Sequence, residues 1–265
     1  TAATLAASAA TGIDLDTTIT TVTSATVSGT GAIDISDTAG GLAVTTATTN
    51  DGTISLNATD GTLTLTNVSA GGAGQDVVAT TTTSGDIAVS AVSATDNVTL
   101  TAAGAITDGN GATTNITAAT LAASAATGID LDTTITTVTS ATVSGTGAIN
   151  LSDTAGGLVV SNATTTDGTI TLNATGGTLT LTNVSAVGAG QDVVATTTTS
   201  GDIAVSAVSA TDNVSLTPAA GGAISLVGTT ASIMGASSEL SGVVTLDIDG
   251  TSAGTSNNNI VVTGT

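Results

Sequence analysis

The chain has 265 residues, with no Lys, Arg, His, Cys, Phe, Tyr or Trp, and its 20 acidic residues give a formal net charge of −20. Without cations it cannot neutralise phosphates, which excludes nucleic acid as a direct partner and sets it against anionic lipid surfaces. Without imidazole, thiol, amine or phenol it lacks the usual catalytic bases, nucleophiles and soft metal ligands, so the expectation is a protein that is not an enzyme.

Short strands appear from the N-terminus onward. Gly12-Ile13-Asp14-Leu15-Asp16 is the first of a series, followed by Gly31-Ala32-Ile33-Asp34-Ile35-Ser36 and Gly52-Thr53-Ile54-Ser55-Leu56. Gly61-Thr62-Leu63-Thr64-Leu65, Gly85-Asp86-Ile87-Ala88-Val89 and Asp96-Asn97-Val98-Thr99-Leu100 complete it. In each, apolar residues alternate with Thr, Ser, Asp, Asn or Ala, the period-two pattern of a strand with one buried face. Clusters such as Thr49-Asn50-Asp51-Gly52 between them carry turn chemistry. Helical periodicity is absent, and the abundance of Thr, Val and Gly disfavours helix.

The chain is internally duplicated. Residues 1–101 return as residues 117–217, an offset of 116, and only ten positions differ. Such near-identity marks a repeat architecture. Ile35 becomes Leu151 and Ala43 becomes Val159 at positions expected to face inward. Asp34 becomes Asn150 and Ser55 becomes Thr171 at positions expected to face outward. The organisation predicted is a first solenoid unit over 1–116, a second over 117–222, and a divergent continuation over 223–265. In the last, Val243–Asp249 and Asn259–Val262 read as strands.

Ile13, Ile33 and Ile54 lie 20 and 21 residues apart. That spacing predicts an all-β fold, a parallel β-helix (β-solenoid) of about 20 residues per coil, each coil rising by one inter-strand step of ~4.8 Å. On this count six coils fit in the 116-residue unit and about thirteen in the chain. A narrow column of Ile, Leu, Val and Ala forms the core, which explains how the chain dispenses with aromatic residues.

The Gly-x-Ile-x-Leu segments, the coil length and the long near-identical units resemble filamentous-haemagglutinin-type exoproteins and the giant bacterial β-strand-repeat surface proteins. The resemblance implies a right-handed parallel β-helix, export across the outer membrane, and a role in adhesion, aggregation or biofilm. Its partners would be host-cell, matrix or neighbouring-cell surfaces, and its location extracellular, at the bacterial cell surface. Thr1 is not an initiator methionine and no signal peptide is visible, so the chain reads as a segment of a longer or processed protein. No apolar run is long enough to span a bilayer.

Candidate sites are few. Gly71-Gly72-Ala73-Gly74-Gln75-Asp76-Val77-Val78-Ala79 matches the calcium-binding nonapeptide of tandem β-roll repeats, but it occurs once per long unit and Val187 replaces its first Gly in the second copy. It reads more simply as a Gly-rich turn into a strand. Asp14 and Asp34 are 20 residues apart, as are Asp76 and Asp96, and Asp192 and Asp212. Stacking at that spacing would pair carboxylates with no basic residue to offset them. A weakly held divalent cation such as Ca2+ would relieve the repulsion, and solvated turn carboxylates are the plainer alternative. No catalytic residue and no cofactor is assigned. Thr62-Leu63-Thr64-Leu65-Thr66 returns at 178–182 and resembles the Thr arrays of ice-binding solenoids, although the equivalent coil positions are expected to hold Asp14, Asp34 and Ala88. Asn-x-Ser/Thr sequons recur, at Asn57, Asn67, Asn97, Asn115, Asn162, Asn173, Asn183 and Asn213 among others. The function expected is a structural stalk or adhesin repeat of a secreted surface protein. The alternative is a self-associating protomer of an extracellular filament or sheath, and an ice- or calcium-binding solenoid ranks behind both.

Overall fold

The computed structural model describes residues 2–38, 40–228, 231–240, 243–245 and 261–263. The protein is all-β and folds as a parallel β-solenoid of about 11 turns, roughly 21 residues per turn. It forms two compact units, Thr1–Ile135 and Thr136–Thr265.

The first unit contains β1 (Thr4–Ala9), β2 (Ile13–Thr17), β3 (Thr21–Thr30), β4 (Ile33–Asp37), β5 (Leu42–Asp51), β6 (Ile54–Ala58), β7 (Leu63–Ala70) and β8 (Val77–Thr81). β9 (Ile87–Val89), β10 (Val92–Ala94), β11 (Asn97–Ala102), β12 (Ile106–Asp108), β13 (Ile116–Thr117), β14 (Thr120–Ala125) and β15 (Ile129–Thr134) complete it. Successive strands alternate between two parallel sheets. One runs β1, β3, β5, β7, then the pairs β9/β10 and β12/β13, then β15. The other runs β2, β4, β6, β8, β11, β14.

Register follows from burial, because a one-residue slip would turn every apolar side chain to solvent. In the second sheet Ile13, Ile33, Ile54, Val77, Val98 and Leu121 stack as an inward ladder. In the first, Leu42, Leu63, Ile87, Ile106 and Ile129 do the same. All of these are buried. Each adds about 1.5–3 kcal/mol relative to an exposed side chain.

Strands of the first sheet carry an extra feature. In β5 the buried residues are Leu42, Val44, Ala47 and Thr49. The three-residue step from Val44 to Ala47 breaks the alternation, since inward positions along a straight strand are two apart. β7 repeats the step from Leu65 to Val68, and Val89 to Val92 divides β9 from β10. The chain bends there, and a second short inward column forms from Ala25, Ala47, Val68, Val92 and Ile116.

The Gly that opens so many strands is set by coil stacking. A Cβ on Gly52 would overlap the carbonyl oxygen of Gly31 in the coil below, and one on Gly85, at φ +108°, would overlap that of Gly61. Backbone meets backbone at these corners, which leaves no room for a side chain.

The second unit contains β16 (Thr137–Thr146), β17 (Ile149–Asp153), β18 (Leu158–Val160), β19 (Ala163–Asp167), β20 (Ile170–Ala174), β21 (Leu179–Leu181), β22 (Val184–Ala186) and β23 (Val193–Thr197). β24 (Ile203–Val205), β25 (Ala207–Ala210), β26 (Asn213–Thr217), β27 (Ala223–Leu226), β28 (Ser232–Met234), β29 (Ser237–Leu240), β30 (Val243–Thr245) and β31 (Val261–Thr263) follow. Its ladders repeat those of the first: Ile149, Ile170, Val193 and Val214 in one sheet, Leu158, Leu179, Ile203 and Ile224 in the other. β27 to β31 continue the parallel pairing beyond the point where the duplication ends. Residues 246–249, 259 and 260 of the two C-terminal segments expected as strands lie outside the described residues.

The coil count corrects the sequence expectation of six coils per unit and about thirteen in all. At roughly 21 residues per turn, 116 residues make about five and a half turns. The half turn is visible inside the first unit. β1 and β14 share the sequence TLAASA, yet β1 pairs with β3 in one sheet and β14 pairs with β11 in the other. β2 and β15 share IDLDT and are exchanged in the same way. A second correction concerns Ala43 and Val159, expected inward. Ala43 lies between buried Leu42 and Val44 and therefore points outward, and Val159 is 39% exposed. Ile35 and Leu151 are buried, as expected.

Candidate functional site

Of the three expected carboxylate pairs, one forms. Asp14 stands opposite Asp34 in the β2–β4 register, and both are exposed. The other two do not stack. Val77 pairs with Val98, a step of 21, so Asp76 faces Asn97 and not Asp96. Asp76 Oδ1 accepts from Asn97 N at 3.0 Å and from Asn97 Nδ2 at 2.9 Å, while Asp96 N donates to Gln75 O at 3.1 Å. The second copy is identical in kind: Asp192 Oδ1 accepts from Asn213 N at 2.8 Å and Nδ2 at 3.0 Å, and Asp212 N donates to Gln191 O at 2.9 Å. The buried valines set the register, and each carboxylate falls beside an amide donor instead of a second carboxylate. Among the described residues no group of three or more acidic side chains is placed to hold a metal ion.

The Gly-rich segment at 71–79 forms a turn that leads into β8. Its polar groups bind neighbouring coils. Gln75 Nε2 donates to Asp51 Oδ1 at 3.1 Å, Gln75 N donates to Thr95 Oγ1 at 3.0 Å, and Thr95 Oγ1 donates to the Gly72 carbonyl. Gln191, Asp167, Thr211 and Gly188 reproduce this set around the copy that carries Val187, so the turn does not depend on the replaced glycine.

Two polar networks were not expected from the sequence. Asp37 is fully buried, and its Oδ1 accepts from Thr17 Oγ1 and from Ile19 N, each at 2.8 Å. Its counterpart Asp153 is also fully buried and accepts from Ala155 N at 2.9 Å. The signal was present: the alternation Ile33-Ile35-Asp37 points Asp37 inward, in the column shared by Thr17, Ala58 and Thr81. These side chains cap backbone groups where the coil turns.

The second network surrounds Asn115, only 1% exposed. Its Nδ2 lies within hydrogen-bonding distance of Val89 O (2.8 Å), Asp108 Oδ1 (2.8 Å) and Asn110 Oδ1 (2.9 Å), and its Oδ1 accepts from Asp132 N at 2.7 Å. This amide seats the loop between β12 and β13 and leaves its sequon closed to modification in the folded chain. Asn67 and Asn183 are exposed, as is Asn150 in the further sequon Asn150-Leu151-Ser152. Nearby, burial pushes the Asp130 carboxyl above its ordinary pKa, and the Asp108 charge adds to the shift.

The Thr array is also relocated. Thr64 stands between Ala43 and Ala88 in its ladder, so the row alternates with Ala, while Asp14 and Asp34 belong to the other sheet. An unbroken hydroxyl column runs elsewhere: Ser8, Thr26, Thr48, Ser69, Ser93, Thr117 and Thr134 are consecutive partners in the first unit. Ser93 and Ser69 are joined at 2.9 Å. An open surface groove beside this column is lined by Thr26, Val27, Ser28, Thr48, Thr49 and Asn50. The column carries no charge.

No protein-family model, no curated protein and no solved structure matches the chain. No helix of the described residues is long and apolar enough to cross a membrane.

Proposed function

We propose that this chain is a structural repeat region, a stalk or adhesin segment, of a secreted bacterial surface protein of the filamentous-haemagglutinin type. The observation that carries the reading is the near-identical return of residues 1–101 as 117–217, wound into a parallel solenoid with an aliphatic core. Stability in such a stack is a sum of neighbouring-coil interfaces, so length can be extended by duplication without redesigning a core. Imidazole, thiol, amine and phenol side chains are missing from the sequence, whereas outward Thr, Ser, Asn and Asp suit a solvated surface. High negative charge keeps such surfaces apart at neutral pH.

The test is removal of the coding region from the source cell. Attachment to surfaces and cell–cell aggregation are expected to fall while growth is unchanged, and immunogold label against the chain is expected outside the cell. Unchanged attachment together with label confined to the interior refutes the proposal.

A further inference from the structure

We propose that Asn110 is a self-modification site: its side-chain amide cyclises onto the Gly111 nitrogen, expels ammonia and is hydrolysed to aspartate or isoaspartate in the folded protein. The inference concerns the chemistry of one loop and does not rest on the proposed function.

Closure of this ring is easiest before glycine, because a Cβ on the next residue crowds the attacking nitrogen, and it needs that nitrogen free. Asn110-Gly111 is the only Asn-Gly step in the sequence, and every other Asn precedes a residue with a side chain. Four Asp-Gly steps among the described residues could close the same ring, but in each the glycine nitrogen is committed to another coil. Gly52 N donates to Gly71 O at 3.2 Å, Gly109 N to Val89 O at 2.7 Å and Gly168 N to Val187 O at 3.4 Å. Gly61 N donates to Ser84 Oγ at 3.4 Å. Gly111 differs. Its N–H donates to no group among the described residues, while its carbonyl accepts from Thr113 N at 2.6 Å. The residue is exposed, at φ +68°, with nothing within 4 Å of where a Cβ would stand. Solvent therefore reaches the nitrogen, and a base from solvent can take its proton.

The carbonyl under attack is prepared from the other side. Asn110 Oδ1 accepts from Nδ2 of the buried Asn115 at 2.9 Å. A donor at this oxygen stabilises the negative charge that gathers on it as nitrogen adds to Cγ. Asn115 is itself anchored, since its Oδ1 accepts from Asp132 N at 2.7 Å. Asn110 N donates to Asp108 Oδ1 at 2.8 Å, which fixes the start of the loop.

The step balances with water as the only co-reactant. Base removes the Gly111 N–H proton, the N–Cγ bond forms and the Cγ–Nδ2 bond breaks. Nδ2 leaves as ammonia, taking up one proton. Water then opens the succinimide. Cleavage of N–Cγ gives aspartate, and cleavage at the main-chain carbonyl of residue 110 gives isoaspartate, whose chain runs through Cγ. Either product adds a carboxylate beside Asp108 in a chain with no basic residue. It also removes the Nδ2 donor that Ser90 O now receives, so a carboxylate meets a carbonyl there and the loop between β12 and β13 loses a tether. The junction between the two long repeats thus acquires charge as it ages.

The test ages the intact folded chain in mildly alkaline buffer and follows it by isoelectric focusing and intact mass, beside a synthetic peptide of residues 106–116 as the unfolded standard. Over the time that converts the peptide, the chain is expected to gain a single negative charge. Peptide mapping, with labelling by an isoaspartate-specific methyltransferase, is expected to place the change at position 110. Asn110→Gln, which would have to close a six-membered ring, and Gly111→Ala, which screens the nitrogen, are each expected to slow the gain of charge by about tenfold or more. Asn110→Gln retains the amide, so its circular dichroism is expected to match that of the natural sequence. A folded chain that stays unmodified while the peptide is fully converted, a change located at another Asn, or variants that age as fast as the natural sequence overturn the proposal.

Discussion

Leu131→Ala and Leu15→Ala make one chemical change in one local sequence, IDLDT, at two depths of burial. Leu131 is 2% exposed, so its truncation removes buried methyl groups and leaves a cavity, a loss of about 2–5 kcal/mol. Leu15 is 36% exposed, so roughly two-thirds of its side chain is withdrawn from water. Scaling the 1.5–3 kcal/mol of full burial gives about 1–2 kcal/mol, with no closed cavity to add. Helix or strand propensity and unfolded-state terms cancel between the two. With no aromatic residue the chain offers no intrinsic fluorescence, so urea unfolding is followed by far-UV circular dichroism. Native-state hydrogen exchange over β14–β15 and over β1–β2 localises each loss, which matters because stacked repeats need not unfold in one step. Leu131→Ala is expected to cost more by about 1–3 kcal/mol. Equal costs, or a larger cost at Leu15, would refute the claim that the covering coil and not the sequence sets the stability of these strands.

Gly52→Ala is expected to lower stability by about 3 kcal/mol or more through overlap with the Gly31 carbonyl, while Gly74→Ala, at φ +70° with nothing within 4 Å, costs about 1 kcal/mol; urea midpoints compare them. Asp37→Ala takes the acceptor from the Ile19 N–H and leaves the Thr17 hydroxyl only the Ser36 carbonyl at 3.4 Å, and should cost about 2–4 kcal/mol, with Asp37→Asn milder because an acceptor remains. Asp130 has its pKa raised by burial and by Asp108, so the folded state holds its proton to higher pH than the unfolded state and stability falls as pH rises through that window. Asp130→Asn should therefore raise the melting temperature at pH 7 and lose that advantage below the ordinary carboxylate range; an advantage that persists at pH 3 contradicts the assignment. Protonation of 20 acids with no bases removes self-repulsion, so light scattering should rise below about pH 4 and stay low at pH 7.

Much of the fold was legible in the sequence because the Gly-x-apolar-x-apolar motif states both a strand and its tight corner. Ile13, Ile33 and Ile54 stack as their spacing predicts. The coil count expected from the spacing is too high because coils average roughly 21 residues and not 20; the motif itself does not mark one strand per coil, since Ile54 and Leu63 carry it only nine residues apart and lie in different sheets. β3 and β5, rich in Thr and Ala and broken by the three-residue step, lack the clean alternation that reveals a strand. Ala43 was placed inward for the same reason. The carboxylate pairs at Asp76/Asp96 and Asp192/Asp212 failed because coil length varies. A step of 20 joins Ile13 to Ile33, and a step of 21 joins Val77 to Val98. Asp37 continues the inward alternation of Ile33 and Ile35, but the groups it binds, Thr17 and Ile19, lie about a coil away in sequence; Asn115 sits in a loop with no alternation to mark it as buried.

The exchange of β2 and β15 between sheets has a consequence for recognition. The outward aspartates of this strand, Asp14 and Asp16 in one occurrence and Asp130 and Asp132 in the other, are displayed on opposite flanks of the same aliphatic spine. A single antibody raised against it would decorate both sides, and a flat surface pressed against the molecule would meet only one. Duplication by a half-integral winding thus makes a single stretch of genetic information two-faced, with no change of residue.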